Sequence, residues 1–373
     1  MLGQKTEYAV LVFGYGVLNK VGGSGGMRVN MRENGSAGRA YAVRAEGLIK
    51  RYGEQRALDG FDLAVRRGTV HGLLGPNGAG KTTAVRILST LIRLDGGRAV
   101  VAGVDVAADP RGARRHIGLA GQNAAVDEGL TGRQNLELFG RLFHLGGRRA
   151  RLRAGELLER FDLAEAADKG AGGYSGGMRR RLDLAVSMIL APEVLFLDEP
   201  TTGLDPRGRG EVWDAVRDMV AGGTSVLLTT QYLDEADRLA SRVTVIDRGR
   251  AIADDTPAAL KDTVGGDRIE VVVTHAAELP RARDVVGRVC RGAPATDEAE
   301  RRVHAPVADR VAALTEVARV LQDEGVQAED ISLRRPSLDD VFLRLTGHGA
   351  ETGDRSTGRT EADAPAPAEG VTA

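Results

Sequence analysis

Nine consecutive residues have the types and spacing needed to hold a phosphate group. They fit the pattern G-x-x-x-x-G-K-[ST] at every fixed position, and they are Gly75, Pro76, Asn77, Gly78, Ala79, Gly80, Lys81, Thr82 and Thr83. Glycines without Cβ atoms let successive backbone N–H groups converge on an anion. In such a loop the Lys81 ammonium would lie on the β- and γ-phosphates, and the Thr82 hydroxyl would be available to Mg²⁺. The pattern therefore predicts a site for a nucleotide and its metal ion.

The flanking sequence supplies the elements that would position this loop. An apolar run over 70–74 leads into it as a strand, and a run over 84–92 leads out of it as a helix. A strand, a glycine loop and a helix N-terminus together form an anion cradle. The alternative is a glycine-rich strand-to-helix turn that contains Lys-Thr by coincidence, and the context argues against it.

Two carboxylates follow another apolar run. Residues 194–197 are typical of a parallel strand buried on both faces, and Asp198, Glu199 and Pro200 come directly after them. Because an α/β sheet places its ligand residues at the carboxyl edge, Asp198 could reach Mg²⁺ directly or through water. Glu199, one residue further on, is suited to orient or deprotonate an attacking water. A capped turn is the structural alternative for these residues.

Two weaker signals point to the same chemistry. Ser175, Gly176 and Gly177 precede a predicted helix over 179–190, where bare amides, a hydroxyl and the helix dipole would form a second anion-binding element. A serine at this position is also a common N-cap. Tyr52 comes shortly before the phosphate loop, where its ring either stacks on adenine or packs at the end of a strand.

The order of predicted elements indicates an α/β domain followed by a small α+β domain. Strands alternate with helices, which implies a mainly parallel sheet covered on both faces. The segment 130–167 changes to helical periodicity without sustained heptads. We interpret the C-terminal part as a ferredoxin-like sandwich of strands over 269–273, 300–303 and 331–333 and helices over 282–289 and 311–321. Residues 1–42 are predicted to be a flexible extension and residues 348–373 a disordered tail.

In their order along the chain, these elements resemble those of the ATP-binding subunits of ABC transporters. The matching positions are Tyr52 for the adenine-stacking residue, 75–83 for Walker A, Gln122 for the Q-loop, 174–178 for the signature, Asp198 and Glu199 for Walker B with its catalytic glutamate, 203–205 for the D-loop, and Gln231 for the switch histidine. The resemblance implies a P-loop NTPase core over 43–265, a helical insertion over about 123–180 and a small α+β domain over 266–347.

The resemblance also implies which residues bind ligands. ATP would be bound by Tyr52, 75–83, Gln122, Ser175, Gly176, Gly177 and Asp205. Mg²⁺ would be bound by Thr82, Gln122 and Asp198. Catalysis would depend on Glu199, Gln231 and Lys81. One Walker A and one signature in the chain resemble the arrangement in which two subunits enclose two ATP molecules head to tail.

Three segments look like one branch of the family, the daunorubicin-resistance type of drug-exporter ATPase. They are 174–185, 229–237 and 338–348. Proteins of this branch work with a separate transmembrane permease at the cytoplasmic face of the cell membrane, which would explain why no stretch of this chain reaches the about 18 apolar residues of a membrane span. An ABC ATPase that exports a lipid, a peptide or a polysaccharide would have the same appearance.

Charge and motif content argue against other functions of the superfamily. With 51 basic and 52 acidic residues, the net charge of −1 gives no general reason to expect nucleic acid as a partner. A DNA-repair ATPase would also need long coiled-coil arms, and the helical insertion is too short for them. A soluble translation-type ATPase would carry a second Walker A motif. A regulatory module without turnover does not fit an intact Glu199.

Gln231 departs from the broader ABC pattern, which has histidine at this position. A glutamine amide can donate a hydrogen bond to the γ-phosphate and accept one from water, but it cannot become cationic. We therefore predict that Gln231→Ala strongly lowers steady-state ATP hydrolysis and that Gln231→His retains it. An alanine variant as active as the wild type would show that the side chain takes no part.

Overall fold

The computed structural model describes residues 40–121, 125–264, 267–290 and 293–346. The strands are β1 (Tyr41–Tyr52), β2 (Gln55–Arg66), β3 (Val70–Leu74), β4 (Gly96–Val101), β5 (Val104–Asp105), β6 (Ile117–Ala120), β7 (Val194–Asp198), β8 (Ser225–Thr230), β9 (Arg242–Asp247), β10 (Arg250–Asp255), β11 (Arg268–Val273), β12 (Ala295–Asp297), β13 (Arg302–Pro306) and β14 (Ala328–Arg334). The helices are α1 (Lys81–Leu88), α2 (Pro110–Arg114), α3 (Gly132–Leu142), α4 (Gly147–Arg160), α5 (Gly176–Ser187), α6 (Pro206–Ala221), α7 (Leu233–Leu239), α8 (Pro257–Val264), α9 (Leu279–Val289), α10 (Arg310–Asp323) and α11 (Leu338–Thr346).

A six-stranded sheet forms the centre of the larger domain. Its order is β10-β9-β3-β8-β7-β6, in which β9, β3, β8, β7 and β6 run parallel and β10 is antiparallel to β9. Every residue of β3, β7 and β8 is buried. Burial of consecutive residues, rather than alternate ones, means that both faces of these strands are covered. The predicted mainly parallel sheet is confirmed.

A second, antiparallel sheet has the order β2-β1-β4-β5, and its strand β2 was not predicted. The strand β2 includes Asp59, Gly60 and Asp62, which are residue types depleted in strands. Its pairing with β1 also contains register shifts, so no clean alternation marks it in the sequence. The long-range pairing with β1 makes it a strand.

The helical insertion consists of α3, α4 and the helix α5 that leads back to the core sheet. A capping box, in which Thr131 and Gln134 exchange side-chain and backbone hydrogen bonds, starts α3. Phe139 of α3 and Leu157 of α4 belong to one buried cluster. The helices α3 and α4 lie within 130–167, the segment for which helical periodicity predicted them.

The C-terminal domain has the βαββαβ order of a ferredoxin-like fold. Its antiparallel sheet has the order β12-β13-β11-β14, and α9 and α10 follow β11 and β13 in the chain. Alternate residues of β11, Ile269, Val271 and Val273, share a buried cluster with residues of both helices. The sandwich predicted from periodicity is present, with β13 beginning two residues later than predicted.

The last helix, α11, joins the C-terminal domain to the ATPase core. Its buried residues Leu338, Val341 and Phe342 belong to a cluster that also contains Leu74 at the end of β3. The Arg344 guanidinium donates a hydrogen bond to the Thr263 carbonyl at 2.9 Å. Apolar burial is the main contribution to such a contact. Nearly all of the predicted extension over 1–42, and all of the predicted tail over 348–373, lie outside the described residues.

Candidate nucleotide site

The phosphate loop connects the buried strand β3 to the N-terminus of α1. Gly80 caps the helix with a φ of 113°, a left-handed conformation suited to glycine. A Cβ atom on Gly80 would lie 2.6 Å from the Ala57 carbonyl oxygen, and one on Gly75 would lie 2.3 Å from the Ile246 carbonyl oxygen. The loop therefore packs backbone to backbone against β2 and β9. No side chain caps α1, so its first N–H groups face the loop as an anion site requires.

Lys81 lies in the first turn of α1 and is only 4% exposed. Its ammonium donates hydrogen bonds to the carbonyl oxygens of Gly75 at 2.7 Å and Pro76 at 3.1 Å. These contacts fold the side chain back over its own loop. The charge therefore already lies beside the backbone amides that the loop presents to a phosphate.

Asp198 ends β7 close to the phosphate loop, and it is almost fully buried. Its Oδ1 accepts hydrogen bonds from the hydroxyls of Thr229 at 2.5 Å and Thr82 at 3.4 Å. Its Oδ2 is buried and has no hydrogen-bond partner among the described residues. A buried carboxylate oxygen without a partner is costly unless a cation or water meets it. Asp198 and Thr82 therefore fit a Mg²⁺ site, as predicted from the motif.

Glu199 follows Asp198 with a φ of 51° and is partly exposed. A left-handed conformation in a residue other than glycine costs about 1–3 kcal/mol and persists where the surroundings impose it. Here the Glu199 N–H donates to the Thr229 carbonyl at 3.0 Å and contacts the Thr229 hydroxyl at 3.3 Å. This turn separates the Glu199 carboxylate from the buried strand and directs the chain away from the sheet.

Strand pairing brings the predicted catalytic positions to one edge of the sheet. Asp198 pairs with Thr229, and Leu74, the residue before the phosphate loop, pairs with Thr230. Gln231 comes directly after Thr230. The phosphate loop, Glu199 and Gln231 therefore leave from the carboxyl ends of three neighbouring parallel strands, where ligands of α/β sheets bind.

Thr229 is a site residue that the sequence reasoning missed. Its hydroxyl donates a hydrogen bond to the Asp198 carboxylate and accepts one from the backbone N–H of Glu199. The available signal was two threonines at the end of an otherwise apolar strand, immediately before Gln231. A hydroxyl buried in such a strand needs a partner, and its partner lies on the adjacent strand.

The signature residues lie at the N-terminus of α5. The Ser175 hydroxyl accepts a hydrogen bond from the Met178 N–H at 3.2 Å and so caps the helix. Ser175 and Gly176 are exposed, whereas Gly177 is buried against Gly208 of α6. The helix N-terminus is thus presented at the surface with the positive end of its dipole, as an anion site requires.

The D-loop faces the signature across a groove of about 560 Å³. Asp205 accepts a hydrogen bond from the Gly208 N–H at 2.8 Å and therefore serves as the N-cap of α6. Of the described residues, those that line the groove come from the signature, the D-loop and their helices, and none belongs to 75–83. This groove therefore joins the signature to the D-loop and does not include the phosphate loop of the same chain.

A buried ion pair on α5 contacts Gly121 and Ala125, the described residues on either side of the segment that contains Gln122. Arg180 donates to the Gly121 carbonyl at 2.6 Å and lies 3.0 Å from Asp183, which accepts from the Ala125 N–H at 2.8 Å. Burial raises the pKa of the Asp183 carboxyl, and the Arg180 charge opposes this shift. Gln122 itself lies outside the described residues. The pair was not predicted, because Arg180 and Asp183 read as ordinary polar residues of a helix.

Tyr52 is at the end of β1, in the hairpin that β1 forms with β2. Tyr52 is 48% exposed, and the Lys50 ammonium lies 5.7 Å from its ring centroid. The same hairpin contacts the phosphate loop through Ala57. Of the two interpretations of Tyr52, packing and adenine stacking, the exposed face fits stacking better.

The fold and site define an ABC-type ATPase. A family model described as ABC transporter matches residues 58–202. A solved structure of the ATP-binding subunit of an ABC transporter superposes with a TM-score of 0.53 at 26% identity, covering 60% of this chain and 92% of that chain. The chain belongs to the family of ABC transporter ATP-binding proteins, whose ATPase domains bind and hydrolyse ATP.

Two similar relatives are named for drug resistance. One is the daunorubicin resistance ATP-binding protein of Streptomyces coeruleorubidus, 79% identical over 311 residues that cover 83% of this chain and 97% of the relative. Another is the daunorubicin/doxorubicin resistance ATP-binding protein of Streptomyces peucetius, 48% identical over 319 residues that cover 85% of this chain and 95% of the relative. Within the described residues, no helix is both long enough and apolar enough to cross a bilayer.

Thr229→Val tests whether the hydroxyl orients the Walker B residues. Valine keeps the shape of threonine but removes the donor to Asp198, so we expect ATP turnover to fall about tenfold, the equivalent of one lost charge-assisted hydrogen bond. Steady-state hydrolysis by the full chain measures it.

Ser225→Ala is the matched control, because it removes a buried hydroxyl from the other end of β8. The Ser225 hydroxyl accepts from the Gly68 N–H at 2.9 Å, away from Asp198. Equal losses of turnover in the two variants would mean that only the stability of the strand matters.

Proposed function

We propose that this protein is the ATPase of a drug exporter and that it powers the export of a daunorubicin-type compound through a separate transmembrane permease. The observation that carries the proposal is 79% identity along 97% of a relative named for daunorubicin resistance. The permease would hold the chain at the cytoplasmic face of the membrane. No nucleic-acid partner is proposed, in keeping with the net charge of −1.

Two copies of the chain would enclose two ATP molecules head to tail. Each phosphate loop would receive Ser175, Gly176 and Gly177 from the other copy. This arrangement accounts for an exposed signature that lines a groove with the D-loop and without its own phosphate loop. ATP would then be part of the interface, because neither copy alone presents both halves of a site.

The adenine would stack on Tyr52, and the triphosphate would lie along 75–83. Lys81 and the amides of the loop would neutralise charge on the transferred phosphoryl group, together with the signature amides of the other copy. Thr82 and Asp198 would hold Mg²⁺, with Gln122 as a further ligand, and the bound ion would supply additional neutralisation of phosphate charge.

Glu199 would orient the attacking water in line with the scissile bond and act as the general base that accepts its proton. Gln231 would donate a hydrogen bond to the γ-phosphate and accept one from the water. Asp205 would act at the interface as the cap of α6, which holds the D-loop in shape.

Glu199→Gln tests the catalytic assignment. The amide keeps the size of the side chain but cannot accept a proton, so we expect ATP binding to persist while turnover falls by about 100-fold or more. The trapped nucleotide should favour the dimer, which size-exclusion chromatography with ATP measures.

Glu193→Gln is the control, since Glu193 precedes β7 at its opposite end. Its carboxylate pairs with Arg67 at 2.7 Å on the surface, where an ion pair contributes little to stability. Near-normal ATP hydrolysis by Glu199→Gln would show that Glu199 is not the residue that orients and deprotonates the attacking water.

The cargo is tested separately in inside-out membrane vesicles that contain the full chain and its permease. We expect ATP-dependent uptake of daunorubicin, stimulation of ATP hydrolysis by the drug, and loss of both in vesicles with Glu199→Gln. ATP hydrolysis that daunorubicin neither stimulates nor couples to uptake would refute the drug cargo and leave the ATPase assignment intact.

A further inference from the structure

Glu235 is a fully buried carboxyl that the mechanism above does not use. It is 0% exposed, lies in the first turn of α7 and comes four residues after Gln231. Its neighbour Asp234 points to solvent. A carboxyl in a closed apolar environment is costly, and a methionine or leucine of similar size would avoid that cost.

The contacts of Glu235 join three segments around the site. Its Oε1 accepts a hydrogen bond from the Trp213 Nε1–H at 3.1 Å, across from α6. Burial raises the pKa of the carboxyl, while hydrogen bonding with Thr230, Trp213 and Thr201 opposes the shift. Thr230 directly precedes Gln231, and Thr201 is two residues after Glu199. The carboxyl therefore lies between the turn of Walker B and the start of the Gln231 segment.

Two polar atoms at this junction are left without a full set of partners. Glu235 Oε2 and the Thr201 hydroxyl are both buried, and neither has a hydrogen bond of good geometry among the described residues. The Thr201 hydroxyl lies close enough to oppose the raised pKa of Glu235, and a hydrogen bond between the two groups would satisfy both. The carboxyl can thus hold the turn as well as the helix.

The helix α6 adds a second connection to the same segment. The Arg209 guanidinium lies over the Tyr232 ring at 4.5 Å, and its Nε donates to the Leu204 carbonyl at 3.2 Å. The Arg238 guanidinium lies over the Trp213 ring at 5.2 Å. Arg209 and Trp213, one turn apart on α6, therefore contact residues that follow Gln231 in the chain. The helix α6 itself begins at the D-loop.

We propose that Glu235 is a positioning residue for ATP hydrolysis, which holds Gln231 in register with Glu199 by anchoring α7 to Trp213 and to the Thr201 turn. The inference rests on the proposed roles of Glu199 and Gln231. Loss of the anchor leaves the phosphate loop unchanged, so nucleotide binding is preserved. It lets the two groups that orient the attacking water shift relative to each other, and misplacement of that kind lowers turnover.

Glu235→Met and Glu235→Gln test this in the full chain. Methionine fills the volume without an acceptor, so we expect kcat to fall about tenfold with the ATP dissociation constant unchanged. Glutamine keeps an acceptor for Trp213 and a donor for Thr201, so its kcat should stay within about threefold of the wild type.

Trp213→Phe removes the donor and should reproduce the loss of kcat in Glu235→Met. The double variant should be no slower than either single variant, because both break one interaction. Thr244→Val is the matched control, since it removes a buried hydroxyl whose partner is His71, at 2.8 Å in the first half of β3. This control should keep the wild-type kcat.

A wild-type kcat in Glu235→Met, or an equal loss of kcat in Glu235→Gln, would overturn the positioning role. Glu199→Gln, assayed in parallel, separates this failure from a failure of the proposed site. An active Glu199→Gln would refute the assignment of the water-orienting group. An inactive Glu199→Gln beside a fully active Glu235→Met would refute only the role of Glu235.

Discussion

The parallel pairing of β3, β8 and β7 is the constraint on which the rest of the site depends. It places Asp198 opposite Thr229 and Leu74 opposite Thr230, so that three chain segments leave from adjacent strand ends. Because the strands are buried on both faces, a slip of one residue would turn every side chain to the other face and separate the Thr229 hydroxyl from Asp198. The register of the core sheet therefore determines where Asp198 lies relative to the Thr229 hydroxyl.

The helices α5 and α6 extend this geometry away from the sheet. Arg181 of α5 lies 3.4 Å from Glu211 of α6, and Gly177 packs against Gly208. The signature and the D-loop, which begin these helices, therefore form one surface. On its other side α5 holds Gly121 through Arg180. The helical insertion is in this way bound both to the D-loop helix and to the strand β6 that leads into the insertion.

The C-terminal domain is attached to the ATPase through its final helix. Phe342 and its neighbours on α11 share an apolar cluster with Leu74, the residue immediately before the phosphate loop. A ferredoxin-like sandwich that ended at β14 would have no such contact. The position of the domain against the core is consequently determined by residues at the extreme end of the described chain.

The sequence alone predicted the phosphate loop, the carboxylates of Walker B, the signature, the mainly parallel core sheet and the C-terminal α+β sandwich. These features depend on contiguous residues, because a glycine loop, a buried strand or a helix cap is specified by neighbours in the chain. Only the tertiary structure decided that β2 is a strand, that α11 returns to the core, and that Thr229, Arg180 and Glu235 contact the site. Each of these depends on a partner distant in sequence, such as Trp213 for Glu235, and no local pattern distinguishes a buried polar residue with such a partner from an exposed one.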